Sequence, residues 1–202
     1  MPILCNYYLT YRCNAYCGFC HFGDHAAFKG QKHADTRDVV RNIGDLKSLG
    51  VRFIDLTGGE PLLHPELDVI ARAAKAAGMM TSVTTNGLLY PKYAERLRGI
   101  IDLLHFSLDS SDRGQHDAMR GIACFDAVLE SLDIARELGE TPDILFTVTR
   151  ENYTQLEAVH ELARSRNLLM LINPVFEYFR DEELPEEALR EVERIALSLI
   201  HI

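Results

Sequence analysis

Apolar and polar positions along the chain follow two alternating rhythms. Short runs rich in β-branched, aromatic and aliphatic residues predict six strands: "ILCNYYLTY" (3–11), "VRFIDLT" (51–57), "MMTSVTT" (79–85), "LLHFSLD" (103–109), "DILFTVT" (143–149) and "LLMLINP" (168–174). Several of them end in Gly, Asn, Asp or Pro, the residues that close strands. Between them the apolar spacing becomes helical. Val39, Val40, Ile43, Leu46 and Leu49 mark one helix over 37–49, and Leu67, Ile70, Ala73, Ala74 and Ala77 mark a second over 65–78, each stopped by a glycine. Segments 124–138 and 153–166 repeat the pattern. Strand and helix in alternation imply right-handed crossovers and a parallel α/β sheet, either doubly wound or curled into a full or partial barrel. Apolar runs such as "LLMLI" suggest burial on both faces. In either form, chemistry belongs at the carboxyl ends of the strands. The chain divides into an α/β core over 1–180 and a C-terminal helix over 181–202, read as the possible start of a longer extension. An acidic turn leads into that helix near Pro185, and Leu189, Val192, Ala196 and Leu199 form its apolar stripe.

Composition narrows the picture. The 202 residues, 47% hydrophobic and 25% charged, suit one well-buried domain. A net charge of -9 with no Lys/Arg block argues against a nucleic-acid partner. No run reaches the roughly 18 apolar residues of a membrane span. The start lacks the pattern of a signal peptide, so a cytoplasmic location is expected. Five cysteines, three of them within eight residues, suggest ligation rather than a disulfide framework.

Those three are Cys13, Cys17 and Cys20 in "RCNAYCGFCHF", a C-x3-C-x2-C spacing just past the first strand. The next strands run into "TGGEP" (57–61), "TTNG" (84–87) and "SLDS" (107–110). Each alone reads as a turn. In order, at successive strand ends, they describe a ligand site. In "GGEP" the glycines allow a close backbone approach to a ligand, and Pro61 holds Glu60 extended so that its carboxylate can meet a cationic group. Three thiolates on a cubane iron–sulfur cluster leave its fourth iron open, as catalysis requires. A zinc site completed by His21 or His25 is the rival, and it leaves "GGEP" without a role. Cys5 and Cys124 read as buried small hydrophobes. "HDAMRG" (116–121) reads as structural, with Arg120 pairing locally, while Arg150 and Asn152 are possible ligand contacts.

The cysteine triplet with "GGEPLL", "TTNG" and "SLD" following in order resembles the radical S-adenosylmethionine (radical SAM) superfamily from Ile3 to about Asn173. The resemblance implies a partial (β/α)6 barrel, with Cys13, Cys17 and Cys20 holding a [4Fe–4S] cluster and S-adenosylmethionine chelating the open iron. It places Gly58, Gly59 and Glu60 at the cofactor's amino group, Phe19 at the adenine, and Ser107 and Asp109 near the carboxylate and ribose. Thr85 and Asn86 would line the same mouth, and Met170 or Leu171 would flank the adenine. It further implies reductive cleavage of S-adenosylmethionine to a 5′-deoxyadenosyl radical that takes hydrogen from a substrate. A low-potential, flavodoxin- or ferredoxin-like donor would supply the electron. The likeness is greatest to the group containing the molybdenum-cofactor cyclase and the peptide-modifying maturases with extra C-terminal clusters. Where the cyclase has arginines on its first and second strands, Asn6 and Asp55 stand here, and after Cys20 the sequence has only Cys124. The substrate therefore stays open. An iron–sulfur protein without radical chemistry, or a zinc-binding interaction module, is the alternative.

Overall fold

In a computed structural model, residues 2–23, 26, 28, 30–174 and 185–199 are described, with side chains as far as Ile195. Six parallel strands form one sheet: β1 (Leu4–Thr10), β2 (Phe53–Gly58), β3 (Met80–Thr85), β4 (Leu103–Ser107), β5 (Asp143–Val148) and β6 (Met170–Pro174). Their spatial order is their sequence order, each pairing only with its chain neighbours. The sheet is not closed, and the architecture is a partial (β/α)6 barrel. Helices α1 (Thr36–Ser48), α2 (Leu67–Ala76), α3 (Tyr90–Leu97), α4 (Arg113–Arg120), α5 (Phe125–Glu137) and α6 (Leu156–Ser165) lie between the strands, and α7 (Glu186–Leu199) follows β6.

Local chemistry sets the boundaries. The Asp35 side chain accepts from the Arg37 and Asp38 amides and opens α1. The Asp117 carboxylate accepts from the amides of Cys124 and Phe125 at 2.8 Å and opens α5. The core lies between helices and sheet. Ile54, Leu56, Val83, Phe106, Ile144 and Phe146 on the outer sheet face meet Ile70, Ala74, Val128, Leu132 and Val159, all essentially without solvent exposure. Tyr90 meets Phe106 edge to face at 4.9 Å.

The other sheet face is wet. Along β2, Ile54 and Leu56 are buried while Asp55 and Thr57 are half-buried. Along β6, Met170 is buried but Leu171 is 39% exposed, and Leu169 just before it is 66% exposed. Burial of both faces, expected from "LLMLI", is therefore corrected: an open barrel dries only its outer face and leaves the inner one for a ligand. Helices α3 and α4 were not expected, because eight residues are too few turns to reveal a period. In α7 the inward line is Ala188, Val192 and Ile195, and Leu189 is 53% exposed, so the stripe turns by one residue from the expected one. Residues 175–184 and 200–202, which include the boundary at 180 and most of the acidic turn, lie outside the described residues. No described helix is long and apolar enough to cross a membrane.

Asp102 joins α2 to β3. It pairs with Lys75 at 2.6 Å and accepts from the Thr81 amide and hydroxyl. Burial raises its carboxyl, but the Lys75 and Thr81 hydrogen bonds and the Lys75 charge outweigh that and hold it below the ordinary 3.8. A depressed carboxyl stabilises the fold above its unfolded value, and the contribution is lost as pH falls through the folded one. Asp102→Asn should cost about 1 kcal/mol at neutral pH and flatten the acid limb of a urea-stability profile below about pH 4.

Candidate functional site

The loop carrying Cys13, Cys17 and Cys20 is held on two sides. On one side, Thr10 and Arg12 offer carbonyls to the Gly59 and Glu60 amides, both at 2.9 Å. This contact explains the two glycines. A Cβ on Gly58 would stand 2.2 Å from the Thr10 carbonyl oxygen, and one on Gly59 would stand 2.3 Å from that of Arg12. The space expected for a ligand's approach is thus filled, in the first instance, by the chain's own backbone. On the other side the end of α4 receives the loop: the Tyr16 amide donates to the Arg120 carbonyl at 2.9 Å and the Gly18 amide to that of Met119 at 3.3 Å. Gly121, at φ 64°, ends α4 in the left-handed region, where a Cβ would strike Tyr16.

None of the described cysteines is in a disulfide. Cys17 is buried, Cys13 and Cys20 half-buried. Burial pushes the Cys13 thiol up to about 12, with Glu60 and the two neighbouring thiols adding to it and the Ala15 amide, 3.4 Å from its sulfur, opposing. Burial also raises Cys17, against the pull of the Arg120 guanidinium 3.8 Å from its sulfur. Such thiols give up their protons on binding a cationic centre. A single zinc ion would draw its thiolates to about 3.8 Å from one another. The sulfurs of Cys13, Cys17 and Cys20 do not all lie within 4.8 Å of each other, and His21 does not complete a set with them. His21 is exposed and sits edge-on to Phe28, and His25 lies outside the described residues. Three separated thiols with donors at two sulfurs fit a multi-iron cluster better than a closed zinc site.

Glu60 lies beneath this loop, 1% exposed. Its Oε1 accepts from the Leu62 amide (3.0 Å) and the Thr85 hydroxyl (2.9 Å), and its Oε2 from the Asn86 amide (2.9 Å). Burial raises its carboxyl to about 6 against those three donors. A carboxylate has about four acceptor sites, which leaves one on Oε2 for a further donor. Thr85 and Asn86 are buried and do not line the mouth: Thr85 bonds Glu60, and the Asn86 side chain donates to Asn14 on the cysteine loop at 2.7 Å. Strand alternation puts Thr84 on the inner face in their place.

Asp109 is fully buried. It pairs with Arg120 at 2.5 Å and accepts from the Thr147 amide at 2.9 Å. Its expected place beside a ribose is corrected, because its charge is already matched. Burial raises its carboxyl, with Arg120 the main opposing influence. Arg120 was expected to pair locally; it spans from β4's end to Cys17, with its guanidinium 5.4 Å from the Phe19 ring centre. Asn152 is buried and braces the β5 exit, accepting from Thr149 and donating to the Asp109 and Thr147 carbonyls, while Arg150 is exposed. Cys124 is buried, as expected, against the His116 ring nitrogen at 3.3 Å.

A cavity of about 760 Å³ opens on the inner face, lined by Phe19, Cys20, Gly58 and Ser107 among others. From β6 it takes Asn173 and Pro174. Met170 is corrected: it begins that strand, four residues or about 13 Å from Pro174, and belongs to the core.

The Radical SAM superfamily pattern matches residues 7–163. A "Probable GTP 3',8-cyclase" of Sulfurisphaera tokodaii is 31% identical over 196 residues, covering 91% of this chain and 62% of that protein. An "AdoMet-dependent heme synthase" of Methanosarcina barkeri is 31% identical over 166 residues, 81% of this chain and 47% of that protein. The crystal structure of Streptococcus suis SuiB bound to S-adenosylmethionine superposes with a TM-score of 0.85 at 19% identity, covering 100% of this chain and 48% of that one. The chain thus spans about half to six-tenths of the length of these proteins.

Two substitutions test the scaffold. Glu60→Gln sets an amide donor against a backbone donor and should cost about 1–3 kcal/mol in urea unfolding. Arg120→Met leaves Asp109 buried and unmatched and should cost about 3–5 kcal/mol; the double change Arg120→Met with Asp109→Asn should recover part of that loss.

Proposed function

The chain belongs to the Radical SAM superfamily, and on that premise we propose that Cys13, Cys17 and Cys20 hold the family's [4Fe–4S] cluster and that the cavity beside Cys20 receives S-adenosylmethionine and a substrate. When bound, these cofactors supply a reductive C–S cleavage that yields a carbon radical able to take hydrogen from the substrate. The observation that carries this reading is the placement of three unpaired thiols on a loop pinned between the β2 exit and α4, with Cys20 facing the cavity.

The remaining roles are this chain's own. The backbone at Gly58 and Gly59, with the open acceptor site of Glu60 behind it, offers acceptors to the cofactor's ammonium group. Phe19 and Ser107, which line the cavity, contact its adenine and polar ends. Thr85 and Asn86 hold Glu60 in place, and Asp109 acts through Arg120, which fixes Cys17 and the Phe19 ring. The thiols, once deprotonated, receive charge-stabilising contacts from the Ala15 amide and Arg120, the type of contact that sets cluster potential. The partial barrel, whose strands run from Leu4 to Pro174, serves as the catalytic core of the proposed domain 1–180, with 181–202 as a separate segment. A low-potential donor of flavodoxin or ferredoxin type delivers the electron.

Anaerobic reconstitution with iron and sulfide, then dithionite and S-adenosylmethionine, should give about four irons per chain and 5′-deoxyadenosine. Cys13→Ala, Cys17→Ala and Cys20→Ala should each reduce the nucleoside to background. Cys124→Ala, outside the proposed set, should retain it. One bound zinc without sulfide would replace this reading with a zinc module. A cluster whose spectrum ignores S-adenosylmethionine would replace it with an iron–sulfur protein lacking radical chemistry.

A further inference from the structure

On the reading of the cavity as the substrate space of a radical enzyme, we infer that its substrate carries a cationic nitrogen, an amine or guanidine, beside an aromatic or apolar body, and no phosphate. The charge comes from Asp55. It projects from β2 into the cavity, two residues before Thr57 and so about 7 Å further from the mouth. Among the described residues lining the cavity it is the sole carboxylate, and none is Lys or Arg. The other polar groups there are the hydroxyls of Tyr8, Tyr11, Thr57, Thr84, Ser107 and Thr147, the Asn173 amide, the Cys20 thiol and the exposed His21 imidazole.

The neighbours of Asp55 leave its charge incompletely matched. Ser82 bonds it and His105 attracts it, but burial outweighs both and raises its carboxyl. His105 also faces Asp143, with Nδ1 3.5 Å from that carboxylate. Two carboxylates against one imidazole keep this region negative even with His105 protonated. A cation entering from the mouth would relieve the cost of that charge, and a phosphate would add to it.

The wall supplies the second half of the recognition. Tyr8 and Tyr11, at the end of β1 and just after it, join Phe22 and Phe28. Tyr11 stacks on Phe28 at 5.8 Å and on Phe22 at 6.0 Å, with Tyr8 6.1 Å from Tyr11. Tyr8 and Tyr11 remain 46% and 44% exposed. Ring faces accept flat apolar bodies and attract cations. The sulfonium of S-adenosylmethionine does not account for Asp55, because the proposed cofactor contacts lie at the strand ends, a layer above it.

The probes are tryptamine, indole-3-propionate and GTP, titrated calorimetrically into reconstituted protein saturated with S-adenosylmethionine. The first two share a ring and differ in the sign of the terminal charge. Tryptamine should bind at least about tenfold more tightly than indole-3-propionate, and GTP more weakly than either. Asp55→Asn should abolish that preference while circular dichroism and iron content hold. Equal or reversed ranking in the wild type, an unchanged preference in Asp55→Asn, or no tryptamine binding at millimolar concentration would overturn the inference. The wild-type ranking stands even if the variant does not fold. The same samples report 5′-deoxyadenosine: its absence with the amine preference intact sinks the radical reading, and its presence without that preference sinks the substrate class alone.

Discussion

The Asp109–Arg120 ion pair is the contact on which the site's geometry depends. Both side chains are almost wholly removed from water, so each charge is tolerable only with the other present. Around that pair meet the exit of β4, the end of α4, the sulfur of Cys17 and the ring of Phe19. The backbone of Arg120 and Met119 then accepts from the cysteine loop itself. A loop of eight residues with three thiols has little apolar surface to pack. It is shaped by what surrounds it, and a buried guanidinium with fixed donor directions is a stiffer template than aliphatic packing.

The opposite anchor is made of backbone alone. Gly58 and Gly59 bring the β2 exit against Thr10 and Arg12 at a separation that no Cβ permits. Glu60, next in the chain, turns back into the protein and gathers the amides of Leu62 and Asn86 and the hydroxyl of Thr85. The exits of three successive strands are thereby tied together just below the thiols. What the "GGEP" motif contributes is a rigid floor beneath the cysteine loop.

Much of this was legible in the sequence, and the failures share a cause. The six strands and five of the seven described helices appear as periodicity because burial against the core is long-range and repetitive. Cys13, Cys17, Cys20 and the "GGEP" turn stand out because spacing and residue type are themselves the chemistry. Direction was not legible. Thr84 and Thr85 are indistinguishable as letters, yet one faces the cavity and the other bonds Glu60. Asp109 looked like a ligand contact and Arg120 like a local partner because the contact joining them crosses between elements. Met170 was expected as an adenine contact although it begins β6, away from the carboxyl end, and an apolar run does not say which of its residues face the core. Asn14, which ties the loop to Asn86, carries no periodic signal at all.

The same limit separates the strand ends from the inner face. The strand-end motifs carry the resemblance to the family, and the inner face carries none of it. The cavity is lined by residues such as Tyr8, Asp55 and Thr147, which alternate along their strands with core positions. The outer half of each strand's alternation must stay apolar to hold the helices, whereas the inner half is free to change charge without cost to the core. A relative that shares about a third of its residues with this chain can therefore share the cofactor machinery completely and still bind a differently charged molecule. Asp55 lies on the free half, between Ile54 and Leu56 on the fixed half, so the charge of the cavity and the stability of the barrel are set by adjacent residues that do not constrain each other.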